Sequence, residues 1–321
     1  MKVFRAARAI ILLFFIQRCS MAQNDLAREL RSKSTERGLA LSRVRGNLVD
    51  IIPFDADRIS CVWRRPVYSA SFSSDGAKVI VVDDRGVTIQ RIDGSIISTV
   101  EVKYPNLEPW LSPDGKQLLF ETSHLTSTRT PSGYFFATVG DDQVEMIESE
   151  IGKSGLAIGL LPSAGWSTDN RTVVYAHDGQ IIELDLRSKH KVVLGRGTNP
   201  TWSPDNKWIA YKTEDGTARL VTPDGLTQTD VIKGHRILGF LHWSPDSEYL
   251  MYGEEFHPSL MEFFMGFFTL PAGSTSRLSI YRVRDGAILP VHWFGLLGGS
   301  DIGFGWIYDY HKFCREDELR K

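Results

Sequence analysis

Cysteine is scarce in this sequence, with three among 321 residues, and that number cannot staple a small loop-rich scaffold. The fold must therefore rest on a hydrophobic core. An excess of basic charge is also missing. The formal net charge is −2, which argues against bulk nucleic-acid binding. No apolar run is long enough to cross a bilayer, since Ala9–Ile16 and the Phe-rich stretch after Glu255 both fall short. No G-x-S-x-G nucleophile elbow occurs, and no histidine pair has His-x-His or His-x3-His spacing. Repeating 3.6-residue apolar periodicity is absent as well, which removes the helical solenoids.

What is present is an ordinary globular composition, 42% hydrophobic and 24% charged. The first 22 residues read as a secretory signal peptide. Lys2, Arg5 and Arg8 precede the apolar run, and Ser20-Met21-Ala22 supplies the small-x-small cleavage pattern. Ile16-Gln17-Arg18 ahead of Cys19 lacks the small residues of a lipobox. Removal of residues 1–22 takes away four basic side chains and no acid, moving the mature chain from −2 to −6. The expected location is periplasmic or secreted.

One element recurs through the chain. It stands as FSSDG at Phe72, LSPDG at Leu111, WSTDN at Trp166, WSPDN at Trp202 and WSPDS at Trp243. Its aspartates, 75, 114, 169, 205 and 246, are separated by 39, 55, 36 and 41 residues. β-Formers follow each copy, and a period near 40 with strand content predicts the four-stranded blades of a β-propeller. The third copy resolves into four strands, with Asp-Asn and Asp-Gly pairs supplying positive-φ turn residues. Trp166, Trp202 and Trp243 are expected to be core wedges between blades, because no blade can bury both faces alone.

Five motifs leave two chain ends. LVDIIPFDADRISCVW near the start overlays on strands C and D of the third repeat, and SDIGFGWIYDY near the end resembles a strand A. Joining them predicts a sixth blade made from one C-terminal and three N-terminal strands, which leaves no exposed sheet edge. The expected fold class is therefore all-β, a single propeller over 38–311, with six blades favoured and five or seven possible. A short helix or linker at 23–37 and a charged tail at 312–321 flank it.

WSPDNKWIAYKTEDGTARLVTPDG and LSPDGKQLLFET resemble the repeats of TolB-type, WD-repeat-like propellers over nearly all the mature chain. The TolB family carries a small α/β domain ahead of its propeller, and about fifteen residues between Gln23 and Gly38 are too few for one. The resemblance is thus to the propeller part, and its motif is structural. The same repeat type is similar to the propeller of prolyl-oligopeptidase-like peptidases, whose serine sits on a separate hydrolase domain.

Function is expected where the repeat is interrupted. Strand order places the A–B and C–D turns on one face and the longer B–C and D–A connections on the other, the usual binding side. The insertion from Glu254 to Ser276 gathers Phe256, Leu260, Met261, Phe263, Phe264, Phe267 and Phe268. It reads either as a patch for a protein partner or hydrophobic ligand, or as a plug in the ring mouth. His124, His177, His235 and His257 fall in loops of the same face, with Asp178, Glu254 and Glu255 nearby in sequence. They are weak metal candidates, more simply read as solvated polar groups, and no cofactor is expected. Cys61 and Cys314 would meet as a disulfide only if the tail after Tyr310 folds back. The leading expectation is an exported, non-catalytic scaffold binding a protein partner or a hydrophobic or carbohydrate ligand of the cell envelope. The alternative is a lyase, lactonase or glycosidase with its site at the ring mouth.

Overall fold

A computed structural model describes residues 21–45, 48–54, 61–64, 69–73, 76–83, 86–91, 95–100, 108–122, 133–140, 144–149, 164–234, 237–255, 276–291 and 301–310. Among the described residues helix α1 (Met21–Arg37) comes first and every later element is a strand. β1 (Ala40–Arg45), β2 (Leu48–Pro53) and β3 (Cys61–Arg64) come first. Blade 2 follows as β4 (Ser69–Phe72), β5 (Lys78–Asp83), β6 (Gly86–Arg91) and β7 (Ile96–Val100). Blade 3 holds β8 (Glu108–Leu111), β9 (Gln117–Thr122), β10 (Gly133–Thr138) and β11 (Val144–Ser149). In blade 4 are β12 (Ala164–Trp166), β13 (Thr172–His177), β14 (Gln180–Asp185) and β15 (Lys191–Arg196). Blade 5 has β16 (Thr198–Trp202), β17 (Ile209–Lys212), β18 (Ala218–Val221) and β19 (Gln228–Val231). Blade 6 has β20 (Ile237–Trp243), β21 (Tyr249–Glu255), β22 (Ser276–Arg282) and β23 (Ile288–Val291), and β24 (Asp301–Ile307) ends the series.

β24 pairs antiparallel with β1, giving blade 1 the order β24-β1-β2-β3. The ring of six four-stranded sheets is therefore closed by one C-terminal and three N-terminal strands, as the chain ends predict. Each of the other blades runs in sequence order from the axis outward.

The recurring motif has a local cause. In blades 3 to 6 the serine hydroxyl donates to the aspartate two residues on, at 2.6–2.7 Å. The same hydroxyl accepts the backbone N–H five residues on, at 2.9 Å, which starts strand B. The fourth turn residue sits at positive φ, 58° for Asn170, 59° for Asn206 and 61° for Ser247. Its side chain also reaches back one blade. Asn170 accepts from Asp114 N, Asn206 from Thr168 N, and Ser247 from Asp205 N, at 2.8–3.0 Å. These turns thus link blades 3 to 6 by hydrogen bonds along one face.

The core lies between blades rather than within one. Val174, Ile181 and Leu194 of blade 4 pack on Trp202, Ile209 and Tyr211 of blade 5, and equivalent clusters fill other interfaces. Trp166, Trp202 and Trp243 are each 6% exposed, the wedges that the motif predicts. Helix α1 covers the junction of blades 1 and 6, burying Leu26 and Leu30 against Leu41, Tyr249 and Trp306. Gly38, at φ 60°, ends it with its N–H on Ser34 O. No helix among the described residues is long and apolar enough to cross a membrane.

Candidate functional site

At the axis the six innermost strands converge. Phe72, Leu111, Trp166, Trp202, Trp243 and Trp306 occupy one register position around the ring, the first five next to their A–B turns. Trp166 Nε1 donates to Trp110 O at 2.9 Å, Trp243 to Thr201 O at 3.3 Å and Trp306 to His242 O at 3.1 Å. Each bond ties a blade to the one before it. The space enclosed is about 110 Å³, lined by these aromatics and His242 with no carboxylate among the described residues. Burial pushes the His242 imidazole down to about 4, so it is neutral at physiological pH. That space is well below the roughly 300 Å³ of ordinary ligand pockets.

A second opening, of about 410 Å³, lies on the same face between blades 4 and 5. Asp169 and Arg171 from an A–B turn, Glu183 and Asp185 from the end of β14, Trp202 and Asn206 line it. Arg171 donates to Asp185 at 2.8 Å. The Ser188 backbone N–H, with that guanidinium, holds the Asp185 carboxyl far below its usual range. Glu183 behaves oppositely. Burial, reinforced by the charges of Asp185 and Asp169, pushes it up to about 7. Its Oε2 is buried without a hydrogen-bond partner among the described residues, and so is Trp202 Nε1.

The repeat motif gives no hint of this cleft, because turn geometry and blade packing suffice to explain its turns and Trp202. In sequence, Gln180-Ile-Ile-Glu-Leu-Asp185 looks like a strand with one solvent face. Glu183 is in fact on the face that meets blade 5.

The opposite face carries the expected functional segments. Connections 123–132, 150–163, 256–275 and 292–300 are all B–C or D–A, whereas no A–B or C–D connection exceeds seven residues. Phe256, Leu260, Met261, Phe263, Phe264, Phe267 and Phe268 lie outside the described residues, between the ends of β21 and β22. His124, His235, His257 and Cys314 lie outside them too, and the side chain of Cys61 in β3 is not among those described. Residues 1–20 of the signal segment are likewise outside them. His177 closes β13, with Nε2 3.5 Å from Asp178 and Nδ1 buried without a partner among the described residues. Among the described residues no three His, Cys, Asp or Glu side chains gather in a metal-binding group.

No protein-family model matches the chain, and no curated protein sequence matches it. Solved structures do. A putative TolB from Agrobacterium tumefaciens superposes with a TM-score of 0.54 at 16% identity, over 84% of this chain and 98% of that one. TolB from Acinetobacter baumannii gives 0.44 at 12% identity, over 77% and 66% of the two chains. The Cps50 (Swd1) propeller domain of Myceliophteria thermophila gives 0.48 at 12%, over 78% and 81%. The resemblance to TolB-type propellers carried by the repeats holds at the level of the fold: this chain is a six-bladed β-propeller.

Proposed function

We propose that the protein is an exported, non-catalytic scaffold that holds a partner of the cell envelope on its long-connection face. The observation that carries this reading is the asymmetry of the two faces. One face carries short turns around a constricted axis, those of blades 3 to 6 bonded to one another, and every long connection leaves the other. Rigid blades that present variable segments on one side are the form in which repeat proteins recognise partners. The Phe-rich segment, Phe256 to Phe268, is the proposed contact, with Phe and Met side chains able to repack against an apolar surface. The test compares retention of envelope proteins by the wild type and by a variant lacking residues 256–271, both shown to be folded by their melting transitions. A partner kept by the wild type and lost by the deletion supports the assignment, and an unchanged set of partners overturns it. N-terminal sequencing of the protein recovered from cells should begin at Gln23, and a sequence beginning at Met1 would overturn export by signal cleavage.

A further inference from the structure

The junction of blades 4 and 5 departs from the repeat in two independent ways, and both residues concerned line the same cleft, Trp202 lining the axial space as well. The first is in strand C. The residue paired with the second inward position of strand B is Ile51, Ile89, Phe136, Leu220 or Ile280 in five blades, and Glu183 in blade 4. Five apolar residues at one position of a six-fold pattern define what packing there requires. A carboxyl in that place is paid for in desolvation and has no packing rationale. The second departure is Trp202. Of the four tryptophans at the axial register position, three donate their indole N–H to the preceding blade. Trp202 is as buried as its counterparts, 6% exposed, yet its Nε1 has no partner among the described residues.

We propose that this cleft is a binding site for a neutral polyhydroxylated ligand, such as a sugar ring, whose hydroxyl groups engage the Glu183 carboxyl beside the Trp202 ring. The chemistry of the lining selects that class. An anion would meet Glu183, Asp185 and Asp169. A cation would face Arg171. A hydroxyl group both donates and accepts, so it suits a carboxyl whether that group is protonated or charged. Asn206 adds an amide that can do the same, and Pro223 and Val192 supply apolar walls. The volume, about 410 Å³, exceeds the roughly 30 Å³ of a water many times over and falls in the range of small-ligand pockets. The charge of Glu183 is costly without a ligand, as its raised pKa shows, and a hydrogen-bonded hydroxyl relieves that cost.

The test titrates the full-length mature protein with glucose, N-acetylglucosamine and cellobiose, each to about 10 mM, the scale of weak single-site binding. The readout is the ¹⁵N–¹H resonance of the Trp202 indole, assigned with Trp202→Phe. A saturable shift with at least one sugar is expected. Glu183→Leu installs the type of residue the other blades carry, so it should fold, and it should weaken that binding at least tenfold. Glu183→Gln, which keeps both a donor and an acceptor, should weaken it less. A variant lacking residues 256–271 should bind as the wild type does, which separates this site from the opposite face. The proposal is overturned if no sugar moves the Trp202 resonance, or if Glu183→Leu binds like the wild type. It is equally overturned if spermidine or inorganic phosphate shifts the resonance where sugars do not, or if a bound water is the cleft's sole occupant.

Discussion

Trp306 donates its indole N–H to the carbonyl oxygen of His242 at 3.1 Å, fastening β24 to the blade before it. The ring of Trp306 is 3% exposed and packs with its centroid 6.0 Å from that of Tyr249 and 6.1 Å from that of Phe54. Closure of the propeller therefore combines one hydrogen bond with a large buried surface. Trp306→Phe keeps most of the surface and should cost about 1–2 kcal/mol, the loss of a bond to a buried carbonyl. Trp306→Ala should cost about 3–5 kcal/mol. Urea denaturation monitored by circular dichroism measures both. Equal losses would mean that packing adds nothing at the closure.

Helix α1 is held to blade 6 by charge as well as by leucines. Glu29 accepts from Tyr249 and from Arg282 and Arg284, and Arg282 is fully buried while also gripping Asp285. Burial pushes the Glu29 carboxyl up, but the Tyr249 and Arg282 bonds and the Arg284 charge outweigh it and leave it lowered. Its contribution is thus present above the ordinary value of 4.5 and lost as pH falls through the lowered one. Glu29→Ala should cost about 2–3 kcal/mol, since Asp285 still neutralises part of the stranded Arg282. Lys33→Ala, which removes contacts to Asp246 and Glu248 at 2.7 and 2.9 Å, should cost about 1 kcal/mol. Denaturation midpoints, with limited proteolysis of α1, report both effects. A Glu29→Ala loss no greater than that of Lys33→Ala would show that the buried arginine does not depend on the helix.

Asn206 serves two purposes at once, a left-handed turn residue at φ 59° and a side chain that accepts from Thr168 N of the neighbouring blade. Asn206→Gly should cost about 1 kcal/mol, through the lost inter-blade bond alone. Asn206→Ala loses the bond and strains the backbone, for about 2 kcal/mol. Chemical denaturation separates the two. If both substitutions cost the same, the backbone at this position carries no strain.

The architecture was legible because its signals are local. Ser203 and Asp205 bond to each other and to the backbone of their own turn, so the motif announces each blade wherever it stands. Closure was legible for a different reason, since β24 and β1 to β3 are each recognisable fragments of one repeat. The cleft was not legible. Glu183 alternates with Ile182 and Leu184 as a solvent-facing residue would, and only the β13–β14 register shows that its counterparts are apolar. The missing bond of Trp202 is invisible in sequence, because Trp243 has the same Trp-Ser-Pro-Asp context and does make its bond.

Glu183 and His242 pull the pH dependence of stability in opposite directions. Glu183 rises from 4.5 to about 7 through burial and the charges of Asp185 and Asp169. The folded chain holds that proton more tightly than the unfolded chain does. Its contribution is therefore full below about 4.5 and is lost as pH rises through about 7. His242 falls from 6.5 to about 4 through burial. Here the unfolded chain binds the proton more readily, so the contribution is full above about 6.5 and is lost as pH falls towards about 4. Both side chains are partly exposed, and after discounting for solvent each effect is worth about 1–2 kcal/mol. The two slopes oppose each other between about pH 5 and 6.5, where the wild-type melting temperature should vary little. Glu183→Gln removes the falling slope, so its melting temperature should climb with pH over that range and exceed the wild type's at about pH 8. His242→Gln should show the reverse trend, a melting temperature that declines as pH rises. Differential scanning calorimetry at constant ionic strength measures all three curves. A Glu183→Gln curve parallel to the wild type's would mean that this carboxyl is already ionised at neutral pH, and that the cleft does not desolvate it.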